Sequence, residues 1–437
     1  MKKGSMKLLI VVALIGLLAV SWYTMFNDAA KLQSEYDGYI SVARDKKEKE
    51  LYDDAIDSYN SALNMYDSIE LREEIADLYK NTNKIDQYLE FCEQTTSKYP
   101  QDERAYVRLA EYYNGAKDYN LCFKLLNKAD KKGVSSNRLK EIRASIQYVF
   151  EYKYMGFETV SIFSNDLCAV KRPNGNWGYV NLTGGTHLGF NYTDAADYTG
   201  EYLAVQLASG EYVLIDSTGR EKSKDAEKKK IEDCLFLFED KMSVKYDGKY
   251  HYCNSEFKKL FGDYDYAGTF SGGFAAVMNE GKWFVINAEG KQVSDNFEEI
   301  KVDEKGVAFR NGVAFAKTNG KYILIDTSGK KVGDSSWADV DCFNSDQPAA
   351  VSNGDRWGFI DATGKLVVDY TYGKARSFSN GFAAVAVQDK WGYIILDDYS
   401  LKIEHQFVDA MDFSRSGTAF VKQTDGWDLI KLYSYNQ

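Results

Sequence analysis

From about Phe157 onward one unit is written eight times, and a fixed period of that size limits the chain to a repeat architecture. Its anchors are Trp177, Tyr212, Tyr250, Trp283, Tyr322, Trp357, Trp391 and Trp427, at steps of 35, 38, 33, 39, 35, 34 and 36 residues. An aromatic usually sits 13 or 14 residues before the anchor: Phe163, Tyr198, Phe236, Phe270, Phe343, Phe378 and Phe413. Alanine usually sits eight before it, at Ala169, Ala204, Ala275, Ala314, Ala349, Ala383 and Ala419. Asp or Asn follows four later (Asn181, Asp216, Asn254, Asn287, Asp326, Asp361) and Gly seven later (Gly184, Gly219, Gly290, Gly329, Gly364). A recurring signature of this kind is a packing rule and not a catalytic constellation, so it points toward binding or scaffolding.

Within a unit, an alternating run such as Gly381 to Val387 predicts a strand that ends at a tight turn, as at Glu280-Gly281 or Asn319-Gly320. The anchor opens a second strand. The Asp or Asn then caps its own backbone and the Gly accepts a positive φ, which turns the chain into a third strand, for example residues 365–369. A less regular aromatic stretch, such as residues 370–378, leads to the next unit. The closest copies are the runs around Trp177-Gly178, Trp357-Gly358 and Trp391-Gly392. These residues resemble the bacterial WG-repeat family. Units two, three and five put Tyr in place of Trp, and unit three reads Ser255-Glu256-Phe257 where the turn Gly belongs. A unit of three or four short strands cannot bury both faces alone. The resemblance and the period imply a β-propeller-like ring, with an open β-solenoid as the alternative.

Residues 27–154 show no strand-like alternation and predict successive helices. They repeat at 33 and 34 residues: Val42-Ala43, Ile75-Ala76 and Leu109-Ala110 share one slot, and Ala55, Tyr88 and Cys122 share the next. Tyr59, Cys92 and Leu126 follow, then Ala62, Thr95 and Ala129, with Pro100 closing the second unit. Small residues at such positions let antiparallel helices approach closely. This pattern resembles the tetratricopeptide repeat family over about three units, Tyr36 to Val134, with a closing helix to about Tyr154. Tyr39, Arg72 and Tyr106 stand where that family carries Trp.

Ahead of it lie a basic stub, residues 1–7, and an uncharged run, residues 8–26. A helix of that length rises about 28 Å, close to a bilayer's hydrocarbon thickness. Lys2, Lys3 and Lys7 precede the run, while Trp22 and Tyr23 sit near its outer end. That layout predicts a single-pass transmembrane signal anchor with the amino terminus in the cytoplasm and residues 27–437 outside it. A cleaved signal peptide, with Ala19 and Ser21 as the small residues at -3 and -1 ahead of the scission, is the alternative and makes a secreted protein.

Setting those three lysines aside leaves 51 basic residues against 65 acidic ones, which argues against nucleic acid as a partner. His187, His251 and His405 fall in different units without metal-ligand spacing. No catalytic motif appears in its required context, and no cofactor or metal site is expected. The pairs Asp263/Asp265 and Asp339/Asp341 read as solvated turns and not as Ca²⁺ loops. Cys92, Cys122, Cys168, Cys234, Cys253 and Cys342 read as small buried hydrophobes, with Cys234–Cys253 the one pairing worth testing as a disulfide.

The resulting expectation is a non-enzymatic, membrane-anchored, extracytoplasmic scaffold of the cell envelope that binds proteins through repeat surfaces. A module for cell-wall glycan or other carbohydrate is the alternative. An enzyme sited in a propeller mouth is a third reading, and it requires titratable groups to converge there. If sugars bind, the aromatics outside the anchor series, Tyr192, Tyr264, Trp337 and Tyr372, are the candidates to stack on them.

Overall fold

The computed structural model describes residues 3–435 apart from Asn174, Glu227, Lys228, Phe236 and Asp425; the side chains of residues 3–13 and Ala19 also lie outside the description. The chain divides into two compact units, residues 1–147 and residues 148–437.

The first unit is helical throughout. Helix α1 (Lys3–Glu48) is followed by α2 (Tyr52–Met65), α3 (Ile69–Asn81), α4 (Ile85–Lys98), α5 (Glu103–Gly115), α6 (Tyr119–Lys131) and α7 (Asn137–Ile146). Short connections make successive helices antiparallel neighbours. Polar caps set the starts: Ser68, Asp102, Asp118 and Ser136 each accept a backbone N–H from the first turn of α3, α5, α6 and α7. Apart from Val42, the repeated slots are the packing positions, with Ala43, Ala55, Tyr59, Ala62, Ile75, Ala76, Tyr88, Cys92, Thr95, Leu109, Ala110, Cys122, Leu126 and Ala129 all buried. Across the odd-numbered helices runs a ladder of ion pairs: Arg44 to Glu74 at 2.9 Å, Arg104 to Glu70 at 3.0 Å, Arg108 to Glu73 at 3.3 Å and to Asp77, and Arg138 to Glu111 at 2.7 Å. Among the described residues no helix is long and apolar enough to cross a membrane. Part of the expected span, residues 8–13 and Ala19, lies outside the described side chains.

The second unit is a ring of eight antiparallel sheets, here called blades one to eight in chain order. Each begins with a two- to four-residue strand: Thr159–Val160, Asp194–Ala195, Ile231–Cys234, Tyr266–Ala267, Glu299–Ile300, Asp339–Val340, Lys374–Ala375 and Asp409–Ala410. The next two strands form the predicted hairpin, with the anchor at or beside the start of the second. A fourth, outer strand completes six blades. In blades four and five it is reduced to isolated bridges such as Trp283 to Phe297 and Tyr322 to Trp337.

Eight apolar clusters join neighbouring blades, one per junction. The aromatic ahead of the anchor reaches back across the junction. Phe343 stacks on Phe315 at 5.4 Å, Phe378 packs on Phe359 at 5.0 Å and Phe413 on Phe382 at 4.4 Å. In blade three Phe236 lies outside the described residues, and Leu237 is buried in the neighbouring core. The ring closes on itself. Phe150–Phe157 pairs antiparallel with Trp427–Leu432 and completes blade eight, while Phe157, Phe420 and Leu429 pack with Val160, Cys168 and Val180 of blade one. Arg415 also donates to Asp166 at 2.6 and 3.0 Å across that junction.

This closure overturns the open solenoid, which leaves its first and last units unpaired. It also moves the expected boundary. The last helix ends at Ile146, and residues 150–154, expected to be helical, are part of the closing strand. Its partner is the other end of the chain, so no local pattern marks it.

The Asx–Gly turns form as expected. The Oδ1 atoms of Asn181, Asp216, Asn254, Asn287, Asp326 and Asp361 each accept backbone N–H groups two and four residues on. In blade three, Phe257 takes the positive φ of 60° that glycine takes elsewhere, and its ring is fully buried. Burying a large ring offsets the backbone cost there.

Candidate functional site: the repeat anchors and the ring centre

Each anchor except Tyr212 faces an aromatic on its outer strand or edge: Trp177 faces Tyr192, Tyr250 faces Tyr264, Trp283 faces Phe297, Tyr322 faces Trp337, Trp357 faces Tyr372, Trp391 faces Phe407 and Trp427 faces Phe157. The four candidate sugar-stacking residues therefore occupy a repeated slot, which corrects their reading as unrepeated. Trp337 is only 2% exposed and offers no face to a ligand. Tyr192, Tyr264 and Tyr372 are half-buried and meet Tyr179, Tyr252 and Phe359 edge-on.

The register between these pairs explains the glycine. In blade seven, Trp391 faces Phe407 but Tyr393 faces Ile403, so the outer strand carries two extra residues opposite Gly392. Blades one and six bulge in the same way opposite Gly178 and Gly358. A Cβ on Gly392 would lie 2.4 Å from the Ile403 carbonyl oxygen, and one on Gly358 would lie 2.6 Å from that of Val368. Glycine is needed where bulged backbone presses onto the anchor strand. Blade eight bulges too, yet has Asp428 there; its carboxylate accepts the bulge N–H groups of Met155 at 2.7 Å and Gly156 at 3.0 Å. In blade three His251 takes the slot, with Nδ1 2.9 Å from the Gly262 carbonyl and its ring stacked on Tyr246.

Tyrosine anchors bring a hydroxyl that needs an acceptor. Tyr212 donates to Asp194 at 2.6 Å and Tyr250 to Asp233 at 2.6 Å, and the Tyr322 phenol feels Glu299, each acid lying on the first strand of its own blade. Burial, then these carboxylates, push all three phenols up. Tyr212→Phe is expected to cost about 1 kcal/mol of ring stability. Thermal unfolding followed by tryptophan fluorescence reads it, because six of the seven Trp lie in the ring. An unchanged midpoint would mean that water satisfies Asp194 equally well.

A second set of tyrosines ties blades together. Tyr179, Tyr252 and Tyr393 are fully buried, and each donates at 2.7 Å to a carbonyl of the next blade: Ala196, Gly268 and Met411. Asn165, Asn311 and Asn380 extend the tie at the loop tips, donating to the carbonyls of Tyr198, Ser345 and Phe413.

Titratable groups do converge at the centre of the ring. Residues that follow the first strands of their blades, Asp197, Asp341, Arg376 and Asp412, gather around one loop of blade five that carries Asp303, Glu304 and Lys305. On one side a cavity of about 210 Å³ is lined by Ser161, Trp177, Asp197, Cys234, Glu304 and Lys305 among others. On the other, about 170 Å³ is lined by Phe163, Asp303, Lys305, Arg310, Asn344 and Asp412 among others. Burial raises the carboxyls of Asp197 and Asp303. Asp412, which accepts from Asn344 at 2.8 Å, is pushed up to about 7 by burial and by the Asp341 charge.

All six cysteines are buried and outside any disulfide, and Cys234 and Cys253 share one cluster without a bridge. Burial pushes the Cys92 and Cys122 thiols up to about 11. Among the described residues no group of His, Cys, Asp and Glu could hold a metal ion. The central acids had no signal in the sequence, because each lies in a different unit and only ring closure brings them together.

The WG containing repeat family model matches residues 262–283 and 357–391. No curated protein matches the chain. Among solved structures, BamB from Moraxella catarrhalis is similar at 11% identity, covering 64% of this chain and 99% of that one, with a TM-score of 0.43. Kluyveromyces lactis Hsv2 is similar at 12% identity, 57% and 98% coverage and a TM-score of 0.40. The β-propeller domain of Myceliophteria thermophila Cps50 (Swd1) is similar at 11% identity, 64% and 98% coverage and a TM-score of 0.35. Two stretches, residues 262–283 and 357–391, thus match the WG containing repeat model, and both lie in a closed ring of eight β-blades.

Proposed function

We propose that this chain is a non-enzymatic, membrane-anchored scaffold whose helical array and propeller lie outside the cytoplasm and bind other proteins. The observation that carries the reading is how the repeats are used. The recurring aromatics, alanines and turns are engaged in packing, and the ring centre is occupied by its own loop. The surfaces left to a ligand are the broad outer faces of two arrays, a geometry suited to protein partners. A tetratricopeptide-like arrangement of the helices is supported by the buried small-residue slots and by Pro100 before α5. Anchoring is supported by the uncharged residues 8–26 and by the exposure of Leu14, Ile15, Leu17, Leu18, Trp22, Met25 and Phe26.

The test is fractionation of intact cells that express the full chain. The protein should sediment with membranes, lose its propeller to externally added protease, and become soluble when residues 8–26 are removed. The soluble form should then capture discrete envelope proteins but not purified peptidoglycan. Protection from external protease would remove the extracytoplasmic placement, and sugar-competable retention on peptidoglycan would replace the scaffold with a wall-binding module.

A further inference from the structure

Blade five differs from its neighbours at the point where its first strand leaves the ring centre. In blades one, three, four and seven, the bridged loop tip lies four positions after the end of that strand: Val160 to Ser164, Cys234 to Phe238, Ala267 to Ser271 and Ala375 to Ser379. In blade five the same interval runs from Ile300 to Arg310, six residues longer, while Phe309 still fills the aromatic slot against Phe274.

The extra residues fold inward as a built loop. Asp303 Oδ1 accepts the N–H groups of Lys305 at 2.9 Å and Val307 at 2.8 Å, and Gly306 turns with a φ of 76°. Thr269 of blade four donates its N–H to the Gly306 carbonyl at 2.8 Å and its hydroxyl to the Lys305 carbonyl. Arg310 donates to Asp303 at 3.3 Å. From this base Glu304 and Lys305 reach groups of distant blades: Asp197 of blade two, Asp341 of six, Arg376 of seven and Asp412 of eight. The same two residues line the cavity that meets Trp177 of blade one and Cys234 of blade three.

We propose that this six-residue insertion is a plug that keeps the propeller's central channel closed, and that the channel becomes accessible only when the loop moves. The loop is fastened to blade four by the two hydrogen bonds from Thr269, and its tip carries Glu304 and Lys305 toward charges on blades two, six, seven and eight, so the movement that opens the channel is a swing about the Thr269 attachment.

The test uses native-state thiol labelling of the full chain. Deleting residues 302–307 gives blade five the four-position interval of its neighbours and leaves Phe309 in register. Gly306→Ala is the milder variant. Its Cβ would meet Leu235, Tyr266 and the Thr269 backbone at 3.2–3.3 Å in a positive-φ conformation, which displaces the loop without shortening it. Cys234, beside the cavity, and Cys342, within reach of Asp303, are both nearly fully buried. In both variants these two thiols should label at least about tenfold faster than in the parent chain, while the fully buried Cys253 keeps its protection. Unchanged labelling of Cys234 and Cys342 in both variants would overturn the plug. So would labelling of Cys253 in step with them, since that would mark a general loosening of the ring.

Discussion

Gly392→Ala should unfold the propeller at a midpoint about 4–6 °C lower than the parent chain. The new Cβ would sit 2.4 Å from the Ile403 carbonyl oxygen and 2.9 Å from the Glu404 carbonyl carbon and the His405 nitrogen. All three are backbone atoms, so no side-chain rotation relieves the clash, and the bulge itself must move. Forced overpacking of this kind costs about 1–3 kcal/mol, or about 2–4 °C per kcal/mol in domains somewhat smaller than this ring. Gly358→Ala should behave alike, because its nearest contact is the Val368 carbonyl oxygen at 2.6 Å. Gly178→Ala should be milder, with its closest neighbours, the Leu188 carbonyl oxygen and the Phe190 ring, at 3.0 Å. The order of the three midpoints tests the explanation. Equal tolerance at all three positions would mean that the Trp-Gly pair is kept for some reason other than the outer-strand bulge.

Asp412→Asn should stabilise the ring at pH 8 and leave it nearly unchanged near pH 4. The Asp412 carboxyl is pushed from an ordinary value of 3.8 up to about 7, first by burial and then by Asp341 and Glu304, against the opposing charges of Arg376 and Lys305. Between those two values the folded chain holds a proton that the unfolded chain has lost. The stabilisation from this group is therefore complete below about pH 4 and disappears as pH rises through about 7. Asparagine carries no charge to bury and can still accept the Asn344 hydrogen bond, so it escapes the loss. At about 1.4 kcal/mol for each pH unit of displacement the ceiling is roughly 4 kcal/mol, and relaxation of the protein around the buried charge lowers it to roughly 2 kcal/mol. The measurement is the difference in midpoint between variant and parent from pH 5 to pH 8. That difference should widen with pH; a flat difference would show that the parent carboxylate ionises without penalty.

The two effects differ in how far the sequence announces them. The Trp-Gly pairs are visible as a motif, but the reason for the glycine is not, because the residues that press on it follow 11 to 13 positions later, at Ile403 to His405, inside a bulge that hides the strand register. The same bulges obscure the outer aromatic slot. Tyr192, Tyr264, Trp337 and Tyr372 fall 14 or 15 residues after their anchors, and only the pairing makes them one series. Phe309 lies 13 residues before Tyr322, the usual spacing, and completes the aromatic series, because the insertion precedes it and leaves that interval unchanged. The long step of 39 residues between Trp283 and Tyr322 is the one trace of that insertion in the sequence.

What the sequence determined by itself is everything with a short range and a period: the hairpins, the Asx–Gly turns, the buried alanines, the helix slots and the count of eight units. These depend on a residue and neighbours a few positions away, so the chemistry repeats wherever the letters do. Tertiary structure alone decided that the array closes, since residues 150–157 pair with 427–432 across nearly the whole β-unit. It also decided that Asp197, Asp341, Arg376 and Asp412 meet around one loop. Each of those residues occupies an ordinary position in its own unit. Their proximity is a property of the ring, because only closure brings positions from distant repeats to a common centre, and no repeat carries a local signal of what stands opposite it.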